Sequence, residues 1–256
     1  MDKVFVYYGA DHKCGTSMIC QSVAERIANE FPELKILVVH TEGRKGSDFV
    51  SGISESMERI RPYLAEGFLD AEEIFSQSKL TRNLYFIAGE EQLDSASSYP
   101  PGMSDLFLST MKSKFDLIFC DSGSDIEHGL ALGSLFVADA VYIVMLQSES
   151  VLRRFEWLYP LYSKLNVNTA HYIINKYDKE NPFSIRYIQD RLGFSINQFL
   201  TVRESPQGCQ AEIERCTLNK YNDRAYVKDI TRMANTILKR AGLKTIPGGR
   251  KKHEKR

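Results

Sequence analysis

The sequence contains no apolar run approaching the length of a membrane span, so a transmembrane protein is excluded at this level. Charge of neither sign is in excess: 33 Lys and Arg balance 33 Asp and Glu, which argues against a broad nucleic-acid-binding face and leads us to expect no DNA partner. No charged, apolar and small-residue stretch opens the sequence as a secretory signal would. The five cysteines, Cys14, Cys20, Cys120, Cys209 and Cys216, are therefore expected as reduced thiols of a cytoplasmic protein. None of them falls in a C-x-x-C pattern, so that kind of metal site is absent. Internal repeats are also lacking, and no linker precedes the end of the chain. The one local charge excess is Arg250-Lys251-Lys252-His253-Glu254-Lys255-Arg256, after Pro247-Gly248-Gly249. Residues 246–256 are expected to form a basic, solvated and disordered tail; contact with an anionic partner or lipid is the alternative, and membrane association would go through this tail or through partners.

What is present is a series of short, β-branched apolar runs with helical stretches between them. The runs are Val4 to Tyr8, Lys35 to His40, Asn83 to Ala88, Phe115 to Asp121, Ala138 to Met145 and Ala170 to Asn175, with a shorter one, Gln198 to Val202, as a candidate edge strand. Continuous rather than alternating apolarity marks strands covered on both faces, hence a doubly wound, mostly parallel α/β sheet with helices on either side. Helices are expected near 18–31, 52–65, 102–113, 150–165, 184–192, 208–216 and 223–241, and Pro160 should bend or divide the fourth. A chain of 256 residues suits one such domain, here 1–245. In open α/β sheets ligands bind beyond the carboxyl ends of the strands. The residues there are Gly9 to Thr16, His40-Thr41-Glu42, Asp121-Ser122-Gly123 and Asn175-Lys176-Tyr177-Asp178.

The first of these segments has the form of a phosphate-binding loop: strand, small-residue turn, helix. In such a loop backbone N–H groups and the helix N-terminus hold the phosphates, a lysine reaches the terminal ones and the following hydroxyl binds Mg²⁺. Here Gly15 stands at the lysine position and Thr16 follows it. A plain strand-to-helix turn, with Gly9 and Gly15 for backbone freedom and Thr16 or Ser17 as the cap, is the alternative. Phe115 to Asp121 has the form of a Walker B strand whose carboxylate would order the Mg²⁺ shell, although an Asp in this place also caps helices. Asn175-Lys176-Tyr177-Asp178 fits the N-K-x-D element that reads guanine, which keeps GTP open beside ATP.

Taken together, Gly9 to Ser17, Leu37 to Glu42, Phe115 to Ser124, Ala138 to Val144 and Ile173 to Tyr177 resemble the MinD/ParA branch of P-loop ATPases over nearly residues 1–245. Within that branch the loop ending Gly15-Thr16-Ser17 looks most like the CpaE/TadZ proteins, which position pilus-assembly or tight-adherence machinery at a cell pole. The resemblance implies ATP and Mg²⁺ as cofactors, with Gly9, Ala10, Asp11, His12, Lys13, Cys14, Gly15, Thr16, Ser17 and Asn175 binding the nucleotide. It implies Thr16 and Asp121 on the metal, and Glu42 and Asp121 as the catalytic carboxylates. It further implies a homodimer, pilus or secretion machinery as partner, and a location focused at a pole. Three positions depart from the family. Ala10 and Gly15 replace its two loop lysines, and His40 replaces the first acidic residue after the second strand. Loss of one preorganised donor lowers rates by roughly 10²–10³, so slow hydrolysis with retained binding is expected. Lys13 could supply charge from within the loop, in an active but slow ATPase of partition or division positioning; His12 is expected at the surface. A non-nucleotide scaffold is the other alternative. A DNA-partition factor is disfavoured because Arg224, Lys228, Arg232, Lys239 and Arg240 alternate with Asp223 and Asp229 on the last helix.

Overall fold

The computed structural model describes residues 2–90, 99–100, 102–165 and 170–247. The basic tail expected at 246–256 therefore lies outside the described residues, save Ile246 and Pro247. The elements follow in the order β1 (Val4–Gly9), α1 (Thr16–Glu30), β2 (Ile36–His40), α2 (Met57–Ala65), α3 (Ala71–Gln77), β3 (Leu84–Ile87), α4 (Gly102–Met111) and β4 (Leu117–Asp121). Then come α5 (Gly129–Val137), β5 (Ala140–Met145), α6 (Glu149–Lys164), β6 (His171–Tyr177), α7 (Ile185–Leu192), β7 (Phe199–Arg203), α8 (Gly208–Ile213) and α9 (Arg224–Arg240).

The strands form one sheet in the order β3-β2-β4-β1-β5-β6-β7, and every neighbouring pair is parallel. All residues of β1 to β5 are buried, which is why these runs read as continuous apolar segments. The edge strand β7 buries only Phe199 and Val202, its other positions being partly or fully exposed. A parallel sheet puts the carboxyl ends of all its strands at one edge. The loops after β1, β2, β4 and β6 consequently gather there, around β1, where the strand order changes direction.

The sequence expectations differ from the structure mainly in the helices. Two were not foreseen. α3 is seven residues long, with Asp70 accepting from the N–H groups of Glu72 and Glu73 at its start. α5, Gly-Leu-Ala-Leu-Gly-Ser-Leu-Phe-Val, carries too few polar residues to show a helical stripe. The helix expected over 52–65 begins only at Met57, because Ser56 caps it by accepting from the Arg59 N–H. α8 stops at Ile213. α6 runs undivided through Pro160, held by its buried face of Val151, Leu152, Phe155, Leu158 and Tyr162.

Candidate phosphate-binding site

β1 ends at Gly9, whose N–H donates to the Gly123 carbonyl, and the Ala10 N–H donates to the Val144 carbonyl at 2.8 Å. The loop that follows thus starts from both strands flanking β1. It closes at Gly15, the residue preceding α1, with φ at +85°, a left-handed conformation that favours glycine. No side chain caps this helix, so the alternative in which Thr16 or Ser17 serves as the cap does not hold. First-turn N–H groups of a helix have no intrahelical acceptor, and α1 has no acidic residue in its first turn. Its N-terminus therefore presents uncapped donors and a positive dipole end to an anion.

The loop residues divide by environment. Ala10 and Cys14 are buried, His12 and Lys13 are exposed, and Lys13 also has a left-handed backbone at φ +58°. Burial pushes the Cys14 thiol up to about 11, so it packs as a neutral group. The Cys14 carbonyl accepts from Asn175 Nδ2 at 2.8 Å, and Asn175 is itself buried. A Cβ on Gly15 would lie 2.3 Å from the same Nδ2. Asn175 therefore braces the loop. Asp11 pairs with Arg154 of α6 at 3.4 Å, and Arg154 also donates to the Ser124 carbonyl at 3.3 Å. His12 Nδ1 lies 2.7 Å from Ser124 Oγ. Arg154 and Ser124 were missed in the sequence; Ser124 at least followed the Asp121 turn, whereas Arg154 comes from a helix that carries no local signal for the loop.

On the other side of β1 the register aligns His40 of β2 with Asp121 of β4. Their side chains form an ion pair, Nε2 to Oδ2 at 2.9 Å, and both are fully buried. Burial by itself would push His40 down, but the Asp121 carboxylate beside it, with Glu42 and Asp48 more remotely, holds it above its ordinary value. For Asp121 burial acts upward and is overcome by His40, by a hydrogen bond from the Ser17 hydroxyl and by the Gly123 N–H, so it stays below the usual carboxylate range. Glu42 is pushed up to about 7, by burial first and by the Asp121 charge second. It lies over the turn after β4: a Cβ on Gly123 would fall 1.4 Å from Glu42 Oε2. The structure thus brings together the loop, Asn175, Glu42 and Asp121 at one end of the sheet. It adds His40 as a direct partner of Asp121. Asp178, of the guanine alternative, accepts from the Glu180 N–H within its own turn at 3.0 Å.

The residues fit a phosphate group: uncapped helix N–H donors, a glycine at the approach, and an exposed lysine. They do not fit Mg²⁺ as they stand. Asp121 Oδ2 is engaged by His40, and a Cβ on Gly9 would lie 2.8 Å from Thr16 Oγ1, so that hydroxyl packs against the end of β1. Among the described residues no three His, Cys, Asp or Glu side chains are grouped to hold a metal by themselves.

No protein-family model matches the sequence, and no curated protein does. Solved structures do match. A ParA family ATPase from Chlorobium tepidum is 20% identical, with a TM-score of 0.80 over 91% of this chain and 97% of that one. The septum site-determining protein MinD of Pyrococcus horikoshii, complexed with Mg-ADP, is 15% identical, with a TM-score of 0.73 over 94% of this chain and 99% of that one. A putative plasmid partition protein of Borrelia burgdorferi bound to AMPPNP is 14% identical, with a TM-score of 0.67 over 93% and 99%. The chain therefore has the fold of the ParA and MinD ATPases.

Proposed function

We propose that the chain binds ATP at the loop between β1 and α1, hydrolyses it barely or not at all, and uses the bound state to position other proteins. The observation that carries this reading is an uncapped helix N-terminus behind a glycine-closed loop in which Ala10 and Gly15 stand where two lysines would otherwise be. ATP supplies the anion that the α1 N–H groups and Lys13 would hold. Asn175 fixes the loop through the Cys14 carbonyl, and Arg154 neutralises the Asp11 carboxylate that would repel a phosphate. Structural neighbours support the ligand class: the Pyrococcus horikoshii MinD was solved with Mg-ADP, the Borrelia burgdorferi protein with AMPPNP, and a Cyanothece McdA variant with ATP. The Aquifex aeolicus MinD was solved in complex with MinC, which supports a protein partner for this fold.

The bound state would fix one face, around the loop, Glu42 and the Asp121 turn, on which a second copy or another protein docks. The Gly15-Thr16-Ser17 ending of the loop directs the role towards pilus or secretion machinery, in a stable polar focus; partition or division positioning of the ParA/MinD kind stands equally beside it. A slow ATPase is a second reading, favoured by Glu42. A carboxylate held near 7 can accept a proton from water at neutral pH.

Calorimetry with ATP tests the proposal. Binding is expected in the micromolar to millimolar range, with Lys13→Glu, at an exposed loop position, weakening it by about tenfold. Tagged protein should form static foci that Lys13→Glu disperses. Absence of heat with ATP, ADP and GTP alike would leave a scaffold, and foci that follow the nucleoid would favour partition.

A further inference from the structure

Mg²⁺ at phosphate-transfer sites is held by one or two carboxylates together with the substrate's phosphates, and it demands near-octahedral oxygen ligands at close range. A carboxylate serving it needs a free oxygen and room for water. Asp121 has neither. Its Oδ2 lies against His40 Nε2 at 2.9 Å, and the Gly123 N–H donates to its Oδ1 at 3.5 Å. Both members of the pair are fully buried.

The imidazole cannot easily swing aside. A Cβ on Gly46 would lie 1.8 Å from His40 Nδ1, so the backbone there covers the ring, and Gly46 adopts φ +63° to do so. The Phe86 ring is 5.7 Å away centroid to centroid, and Gln21 Nε2 lies 3.4 Å from His40 Nε2. The β2–β4 register sets the two backbones directly opposite each other. Breaking the pair to admit a metal would leave a buried imidazole and a buried carboxylate to be satisfied separately.

We propose that this site takes its nucleotide without a divalent cation, with the buried His40 side chain of β2 occupying the carboxylate that a metal would need. The inference rests on the reading that ATP binds at the β1–α1 loop. The ligand is then the metal-free triphosphate, and His40 becomes a specificity-determining residue that selects between metal-free and metal-bound nucleotide. Free Mg²⁺ would compete by sequestering ATP in solution. The same substitution deprives the site of the ion that screens charge in phosphoryl transfer, in line with slow turnover.

The test is ATP calorimetry on the unaltered protein in EDTA and in millimolar MgCl₂, repeated with His40→Asp. For the unaltered chain the affinity in EDTA should equal or exceed that in Mg²⁺. With His40→Asp the order should reverse, Mg²⁺ tightening binding by about tenfold. Tighter binding of the unaltered protein in Mg²⁺, by more than about threefold, overturns the inference and leaves the ATP reading intact. An unchanged metal response in His40→Asp overturns the role of His40. Absence of binding in both buffers removes the ATP reading and this inference with it. Should His40→Asp fail to fold, the two-buffer comparison on the unaltered protein still decides.

Discussion

At Gly15 the sequence and the folded chain point in opposite directions. Sequence comparison suggests that Gly15→Lys would restore a phosphate-loop lysine. The backbone there has φ +85°, and the new Cβ would fall 2.3 Å from Asn175 Nδ2. Gly15→Lys is therefore expected to lower stability by about 1–2 kcal/mol and to leave phosphate release unchanged. Denaturant titration and a phosphate-release assay check this; a rate increase at full stability would show that the loop can take the ordinary geometry. Glu42 gives a pH-dependent expectation. Its folded value of about 7 exceeds the ordinary 4.5, so the stability it contributes is complete below pH 4.5 and is lost as pH rises through 7. Glu42→Gln cannot ionise. It should be more stable than the unaltered protein at pH 8, by on the order of 1 kcal/mol after solvent screening, and the gain should vanish below about pH 5. Urea titrations at the two pH values measure the difference, and an equal gain at both would remove Glu42 ionisation as its source.

Among the elements, strands were legible in the sequence because five of them are buried on both faces and so appear as unbroken apolar runs. Helices were legible where one face is polar, as in α9 and α7. α5 was not, since its composition shows no stripe, and the start of α2 was set by a single hydrogen bond to Ser56 that propensity does not reveal. The edge strand β7 shows how elements are tied after the runs have formed. Asp229, buried on α9, accepts from Arg203 Nε at 2.8 Å, from Arg203 NH2 at 3.1 Å and from the Arg203 N–H at 3.2 Å. Asp229→Ala removes all three hydrogen bonds and is expected to destabilise the chain by about 2 kcal/mol, Arg203 being half exposed and able to recover part of its hydration. Chemical denaturation measures it. A loss below about 0.5 kcal/mol would mean that packing alone holds the edge.

For the molecule as a whole, the parallel sheet and the edge at which its strands end could be read from the order of the runs, and the loop, Glu42, Asp121 and Asn175 do converge at that edge. The partners His40–Asp121 and Asp11–Arg154 could not, because each joins residues on separate elements and depends on a strand order that no local pattern encodes. That strand order also bears on how the protein is made. β1 is central, yet Val4 pairs with Ile118 and Phe5 with Ala140, so both of its neighbours are translated long after it. While the first hundred or so residues emerge from a ribosome, β2 and β3 can pair but β1 and the loop beside it have no strand to join. Contacts this distant in sequence slow folding and expose apolar edges meanwhile. A nascent chain halted after α4 should therefore show no protease protection in β1, and one extended through β5 should gain it in a single step. The phosphate loop would be among the last parts of the N-terminal half to take shape, and newly made chains would depend on holding chaperones until β5 has been translated.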